Sequence, residues 1–98
     1  MALDIYNINT NEHIFSLNDD QYGLLLNAFE RYYQQTGLYI DQYGDLTMDI
    51  QQQKELFDSV AHCFCSDSSN AKQQIHVEFQ KLLNHCILNN IVIRFLGD

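Results

Sequence analysis

The stretch between residues 18 and 37 carries a complete set of helix signals, and it constrains the fold more than any other part of the chain. Asn18 is a favourable N-cap residue, and Gln21 stands three positions later, where a capping box places its second member. Gly37 stands where a helix ends in the left-handed conformation. The apolar residues at helical spacing are Tyr22, Leu25, Leu26, Phe29, Tyr32 and Tyr33. The pattern predicts an amphipathic helix whose three tyrosines lie in the core.

Two later segments repeat this pattern. Asp49 is the expected N-cap of a second helix, with Gln52 in the capping-box position, and this helix is predicted to extend to about Cys65. Polar residues at 66–70 predict a loop. A third helix covers the apolar positions of residues 75–87, and the asparagines that follow it tolerate the left-handed conformation. The glutamines of these helices are expected on the solvent-facing sides.

Strand-forming residues occupy both ends of the chain. Residues 3–8 and 12–17 flank turn-forming residues and predict a β-hairpin, residues 91–96 predict a closing strand, and residues 38–40 predict a short one. Three amphipathic helices need a surface to cover. The prediction is therefore an α+β fold, in which three helices pack on a small antiparallel sheet made of the N-terminal hairpin and the C-terminal strand. The length of 98 residues corresponds to a single domain, 1–98.

The distribution of charge narrows the class of partner. The formal net charge is −8. Residues 1–58 hold ten acidic side chains against two basic ones, whereas residues 59–98 hold three of each. Phosphate binding needs clustered Lys and Arg, so nucleic acid is not the expected partner. The acidic half is either a solvated surface or a face that steers toward a basic protein.

The sequence favours a cytoplasmic protein. No apolar run approaches the roughly 18 residues that span a bilayer, and the first residues lack the basic and apolar regions of a secretory signal. There are three cysteines, an odd number without the spacing of a disulfide framework. Reduced thiols and no membrane association are therefore expected.

Residues 62–65 and residues 85–86 are two clusters of potential zinc ligands, and they lie on two successive predicted helices. Residue 62 lies about 5 Å from the end of its helix, whereas residue 85 lies about 22 Å along the next, at 1.5 Å per residue. In an antiparallel helix pair the clusters would miss each other, which disfavours both a zinc site and a Cys63–Cys86 disulfide. We therefore expect buried thiols, no cofactor, no metal and no catalytic residues, with no glycine loop to support a nucleophile.

Aspartates spaced by four residues surround Gly44, but their spacing does not match a calcium-binding loop. They indicate either a plain turn or an acidic loop that faces a partner. Tyrosines flanked by carboxylates are typical of protein interfaces, which favours the second interpretation. The predicted partner-binding residues are Tyr39, Asp41, Tyr43, Asp45, Asp49 and Asp58.

Residues 37–45 read Gly-Leu-Tyr-Ile-Asp-Gln-Tyr-Gly-Asp, within a small acidic chain that shows no catalytic motif. In this general character the chain resembles the immunity proteins of bacterial toxin systems, including contact-dependent growth inhibition. The resemblance implies a non-enzymatic protein that binds and neutralises a cognate toxin, often a basic nuclease. An acidic face could place carboxylates where the phosphates of a nucleic acid would bind.

Three other classes stay open. The first is an adaptor or self-associating domain, such as a homodimer. Its copies would pair through the terminal strand if that strand lies at a sheet edge. The second is a metal-binding or redox module, which would need bound zinc or a thiol of depressed pKa. A small enzyme would need a pocket with convergent polar groups.

Overall fold

The computed structural model of the chain describes residues 2–41, 44–63 and 70–97. The elements in chain order are β1 (Ala2–Asn7), β2 (His13–Asn18), α1 (Asp19–Thr36), β3 (Asp45–Met48), α2 (Ile50–Cys63), α3 (Asn70–Leu88) and β4 (Ile93–Gly97). The four strands form one antiparallel sheet in the order β2-β1-β4-β3. The predicted α+β class, with three helices on an antiparallel sheet, is confirmed. The predicted end of α2 at Cys65 and the predicted loop up to residue 69 lie outside the described residues.

The third strand lies later in the chain than predicted. Residues 38–40 form no strand; Ile40 is buried and its carbonyl accepts a hydrogen bond of 2.6 Å from the Tyr22 hydroxyl. β3 instead begins at Asp45, within the predicted turn, and alternates exposed and buried side chains up to Met48. Its pairing with β4 provides the reason, because a four-residue strand is stable only when a neighbour supplies its ladder.

The terminal strand β4 lies inside the sheet, between β1 and β3. Its backbone pairs on both sides, so it is not an exposed edge that a second copy of the chain could extend. The edges of the described sheet are β2 and β3. Self-association through the terminal strand is therefore incompatible with this topology.

One face of the sheet and one side of each helix share a single core. The buried sheet residues are Leu3, Ile5, Leu17, Met48, Ile93 and Phe95. At its centre, the rings of Phe29 on α1 and Phe79 on α3 meet edge to face, with centroids 5.9 Å apart. The opposite face of the sheet carries polar and partly exposed side chains, since neighbouring strand residues point to opposite faces. No described helix is long and apolar enough to cross a membrane.

The predicted helix signals are present in the structure. The Asn18 side chain accepts a hydrogen bond of 2.8 Å from the backbone N–H of Gln21, whose side chain accepts one of 3.0 Å from the backbone of Asn18. Asp49 and Gln52 form the same reciprocal pair at the start of α2. Gly37 ends α1 with a φ of 78°, the left-handed conformation that glycine adopts without strain.

Replacing Asn18 with alanine is expected to lower the free energy of unfolding by about 1 kcal/mol, because a backbone N–H at the start of α1 loses its acceptor. Urea denaturation measures this change. Asn27→Ala, at an exposed position inside the same helix, provides the control and should be neutral or slightly stabilising because alanine favours helices. Equal shifts for the two variants would contradict a role for the cap.

Three polar side chains among the described residues are buried in the core, those of Gln53, Ser59 and His76. Gln53 is fully buried, and its Nε2 donates hydrogen bonds to the carbonyls of Ile91 at 2.7 Å and Met48 at 3.3 Å. The prediction that the glutamines of α2 all lie on the surface is therefore wrong for this residue. His76 on α3 is also buried, with Nδ1 2.7 Å from the carbonyl oxygen of Lys72. Burial lowers the pKa of His76 below its ordinary value of 6.5.

This lowered pKa predicts an acid-sensitive contribution to stability. The native state keeps His76 neutral where the unfolded chain already binds a proton, so the free energy of unfolding should fall as pH drops below about 6.5. Urea denaturation at pH 7.5, 6.5 and 5.5 measures the slope. His76→Gln should flatten it, whereas His85→Gln, at an exposed position of the same helix, should keep it. Equal slopes in the three proteins would contradict the prediction.

Candidate partner-binding surface

The structure distributes the predicted partner-binding residues over several elements. Tyr43 lies outside the described residues. Tyr39 and Asp41 lie in the connection between α1 and β3, and Asp45 begins β3. Asp49 precedes α2, and Asp58 lies within that helix. All five described residues are exposed, but their side chains take part in different local arrangements.

Asp45 forms an ion pair across the sheet. Its carboxylate oxygens accept hydrogen bonds from Nε of Arg94 at 3.0 Å and from Nη2 at 2.6 Å. These bonds hold the pKa of Asp45 below its ordinary value of 3.8. The register places both residues on the sheet face that the helices leave open, in neighbouring positions of β3 and β4. The charge of Asp45 is therefore largely balanced within the molecule.

Asp49 and Asp58 belong to the cap and the body of α2, a different element from the connection that carries Tyr39. The Asp49 side chain caps α2 by accepting a hydrogen bond of 2.8 Å from the backbone of Gln52. Asp58 borders a groove of about 330 Å³ between α2 and α3, together with Lys54. Asp58 therefore lies in the helical layer, whereas Asp45 lies on the open face of the sheet. The described aspartates of the predicted set therefore lie on different elements.

A different surface forms around Tyr39. Its ring meets that of Tyr33 edge to face, with centroids 5.6 Å apart and an interplanar angle of 78°. The two rings, with Glu30 and Gln34, line an open groove of about 500 Å³, which we call the tyrosine groove. Tyr33 is 50% exposed and Tyr39 is 46% exposed, so both present ring surface to solvent.

The position of Tyr33 corrects the prediction that it belongs to the core. Successive helical residues are rotated by about 100°, so Tyr32 and Tyr33 cannot both point to the same neighbours. Tyr32 is fully buried, and Tyr33 lies beside it on the solvent side, one turn before the end of α1. Its exposure next to Glu30 is the feature of the site that sequence reasoning missed.

The tyrosine groove has a negative electrostatic character. Glu30 supplies a carboxylate, and none of the described residues that line the groove carries a positive charge. Asp41, exposed and two residues after Tyr39, extends the acidic surface beyond the groove. Aromatic faces next to a carboxylate attract cationic side chains, and tyrosines are enriched where proteins bind one another. The groove is therefore suited to contact with a basic protein.

A second polar cluster on the open face of the sheet contains Asp4, His13 and Ser16. The Ser16 hydroxyl donates to Oδ1 of Asp4 at 2.7 Å and lies 2.6 Å from Nε2 of His13, which is itself 3.4 Å from the same Asp4 oxygen. In a Ser-His-Asp triad the aspartate holds the other ring nitrogen and the histidine takes the serine proton. Here the aspartate binds the serine directly, so the cluster does not match that geometry.

The structure describes two of the three cysteines, Cys63, which is partly buried, and Cys86. Cys86 is buried, and burial raises the pKa of its thiol above the ordinary value of 9.0, which disfavours the thiolate that redox chemistry needs. Cys65 lies outside the described residues. Among the residues that the structure describes, no group of three or more His, Cys, Asp or Glu side chains could hold a metal ion.

The chain matches no family model, no curated protein and no solved structure. The candidate site is therefore defined by its own residues, which are those of the tyrosine groove and the exposed Asp41 two positions after Tyr39.

Proposed function

We propose that the chain is a non-enzymatic protein-binding domain that neutralises a basic protein, in the manner of an immunity protein of a bacterial toxin system. One observation carries the proposal: the half-exposed rings of Tyr33 and Tyr39 form a groove with Glu30, and the exposed Asp41 follows two residues after Tyr39. Clustered tyrosines commonly dominate binding energy in protein interfaces.

The net charge supports the basic character of the partner. A charge of −8 on 98 residues attracts cationic surfaces at long range, and such steering raises the rate of association. Asp49 and Asp58 add to this field without joining the groove. Asp45 adds little, because Arg94 balances its charge. The contact itself is assigned to the tyrosine groove and Asp41.

Neutralisation follows from the same chemistry where the partner is a nuclease. A nuclease binds phosphates through Lys and Arg side chains. The carboxylates of Glu30 and Asp41 would pair with those side chains in place of the phosphates. The rings of Tyr33 and Tyr39 would bury apolar surface around the pairs and exclude water, which strengthens the charged contacts. Neither step requires a catalytic group on this chain.

The proposal is tested by capture and neutralisation. The immobilised chain is incubated with lysate of its source cell at about 50 mM and about 500 mM salt, since ions screen exposed charges. We expect capture of one basic protein, weaker at the higher salt. That protein should inhibit growth when expressed alone and become harmless when co-expressed with this chain. Capture of nothing, or of the chain itself alone, would contradict the proposal.

Single substitutions separate the groove from the general charge. Asp41→Asn should weaken binding of the captured protein more than Asp45→Asn, because Asp41 lies two residues after a ring of the groove, whereas Asp45 is paired with Arg94. Glu78→Gln removes the same charge at an exposed position of α3 and provides the control. Equal losses for all three variants would indicate long-range attraction alone and contradict the assignment of the contact to the groove.

A further inference from the structure

We propose that the tyrosine groove binds the side chain of an arginine that the partner presents. This inference rests on the proposed function, because it names the group that the groove takes from the basic protein. It is carried by the lining of the groove, which combines the rings of Tyr33 and Tyr39 with the Glu30 carboxylate and the Gln34 amide.

Helix geometry places three of these groups on one side of α1. Tyr33 and Gln34 stand three and four residues after Glu30, the spacings at which helical side chains are neighbours. The carboxylate, the amide and the first ring therefore form one wall of the groove. The Tyr39 ring, which touches the Tyr33 ring edge to face, forms a second wall from the connection that follows Gly37.

Local hydrogen bonds fix the position of the second wall. The backbone N–H of Leu38 donates to Oγ1 of Thr36 at 3.1 Å, and the carbonyl of Ile40 accepts from the Tyr22 hydroxyl at 2.6 Å. The residues on both sides of Tyr39 are thus held to α1, and Ile40 is fully buried. A groove with fixed walls loses less entropy on binding than one that must first be ordered.

The lining selects among ligand classes. An anion would meet the Glu30 carboxylate without a compensating cation in the described lining. An apolar side chain would remove water from that carboxylate without pairing it, which is costly. A guanidinium group suits both the rings and the carboxylate, because it stacks on aromatic rings and its planar fork pairs with a carboxylate. A lysine ammonium pairs as a point charge and lacks the planar surface for stacking.

The groove also has the size for this ligand. Its volume of about 500 Å³ lies within the roughly 300–1,000 Å³ of small-ligand sites. It is open rather than enclosed, so a side chain can enter while its backbone stays on the surface of the partner. One arginine at this place would become the centre of the interface, with Asp41 at its rim.

The inference is tested by titrating the ¹⁵N-labelled chain with N-acetyl-arginine amide and following the backbone amides by NMR. N-acetyl-citrulline amide, which has nearly the same shape without the charge, serves as the matched probe. We expect saturable shifts concentrated at Glu30, Tyr33 and Tyr39, and affinity for the citrulline probe lower by about fivefold. Glu30→Gln should bring the arginine affinity to the citrulline level, whereas Glu78→Gln should leave it unchanged.

Three outcomes would overturn the inference. Shifts spread over acidic residues of the whole surface, equal affinity for the two probes, or equal losses in the two variants would show that the groove does not select arginine. Failure here with a basic protein still captured would remove only the arginine assignment. Arginine binding without any captured partner would instead remove the proposed function and leave the groove as a guanidinium site.

Discussion

Replacing Gln53 with glutamate is expected to lower the free energy of unfolding at pH 7 by about 3–5 kcal/mol, the cost of leaving a buried charge without a partner. The substitution changes one NH₂ group to oxygen in a fully buried side chain. That NH₂ group donates to the carbonyls of Met48 and Ile91, and a carboxylate in its place would repel both. For a domain whose total stability is typically about 5–15 kcal/mol, this loss is large.

The pH dependence gives this prediction a distinctive signature. Burial raises the pKa of a carboxyl group above its ordinary value of about 4.3, so the native variant holds a proton that the unfolded chain has lost. The stability of the variant relative to the parent should therefore increase as pH falls from 7 toward 5. Urea denaturation at the two pH values measures it.

Gln51→Glu provides the matched control, because it makes the same chemical change two residues earlier, at an exposed position. A negative charge in the first turn of a helix is favourable, so this variant should be neutral or slightly stabilised. If both variants unfold at the same urea concentration, Gln53 is not the buried link between the start of α2 and the approach to β4.

Gln53 also shows that a polar residue type can mislead a prediction of burial. Positions 53, 56 and 60 share one face of α2, and the last two are Leu56 and Val60. This spacing is that of a buried face, but a glutamine is expected in solvent, so the residue was predicted on the surface. Its acceptor on Ile91 lies 38 residues away in the chain, so no local pattern could show how the amide is satisfied.

The fold was predictable where local chemistry determines it. The caps at Asn18 and Asp49 set the starts of α1 and α2, and the left-handed Gly37 sets the end of α1. β3 was misplaced because a strand of four residues depends on its partner, and its pairing with β4 joins residues about fifty positions apart. The Asp45–Arg94 ion pair depends on the same pairing and was missed with it.

The candidate site was predictable in part. Tyr39 and Asp41 were selected because tyrosine beside carboxylate is typical of an interface, and the structure exposes both. Tyr33 was assigned to the core because it continues the apolar spacing of α1. The spacing of apolar residues in α1 does not show which of them the neighbouring elements cover, and Tyr33 is one that they leave exposed. Glu30 lines the groove beside Tyr33, so predicting Tyr33 in the core also hid the role of Glu30.

Replacing Tyr39 or Tyr33 with alanine is expected to weaken binding of the captured basic protein by about 30-fold or more, the loss typical of a central interface residue. The rings are half exposed in the free chain, so each variant should fold with little change in stability. Titration calorimetry against the purified partner measures the affinity. The double variant should lose less than the sum of the single losses, because the two rings contact each other.

Two controls make this result specific to the groove. Tyr33→Phe keeps the ring and should retain most of the affinity, since the ring surface supplies the contact. Leu88→Ala removes the most exposed large apolar side chain among the described residues, at the end of α3, and should leave binding unchanged. If the tyrosine variants lose no more than Leu88→Ala, the rings do not anchor the partner. The assignment of the contact to the tyrosine groove would then be wrong.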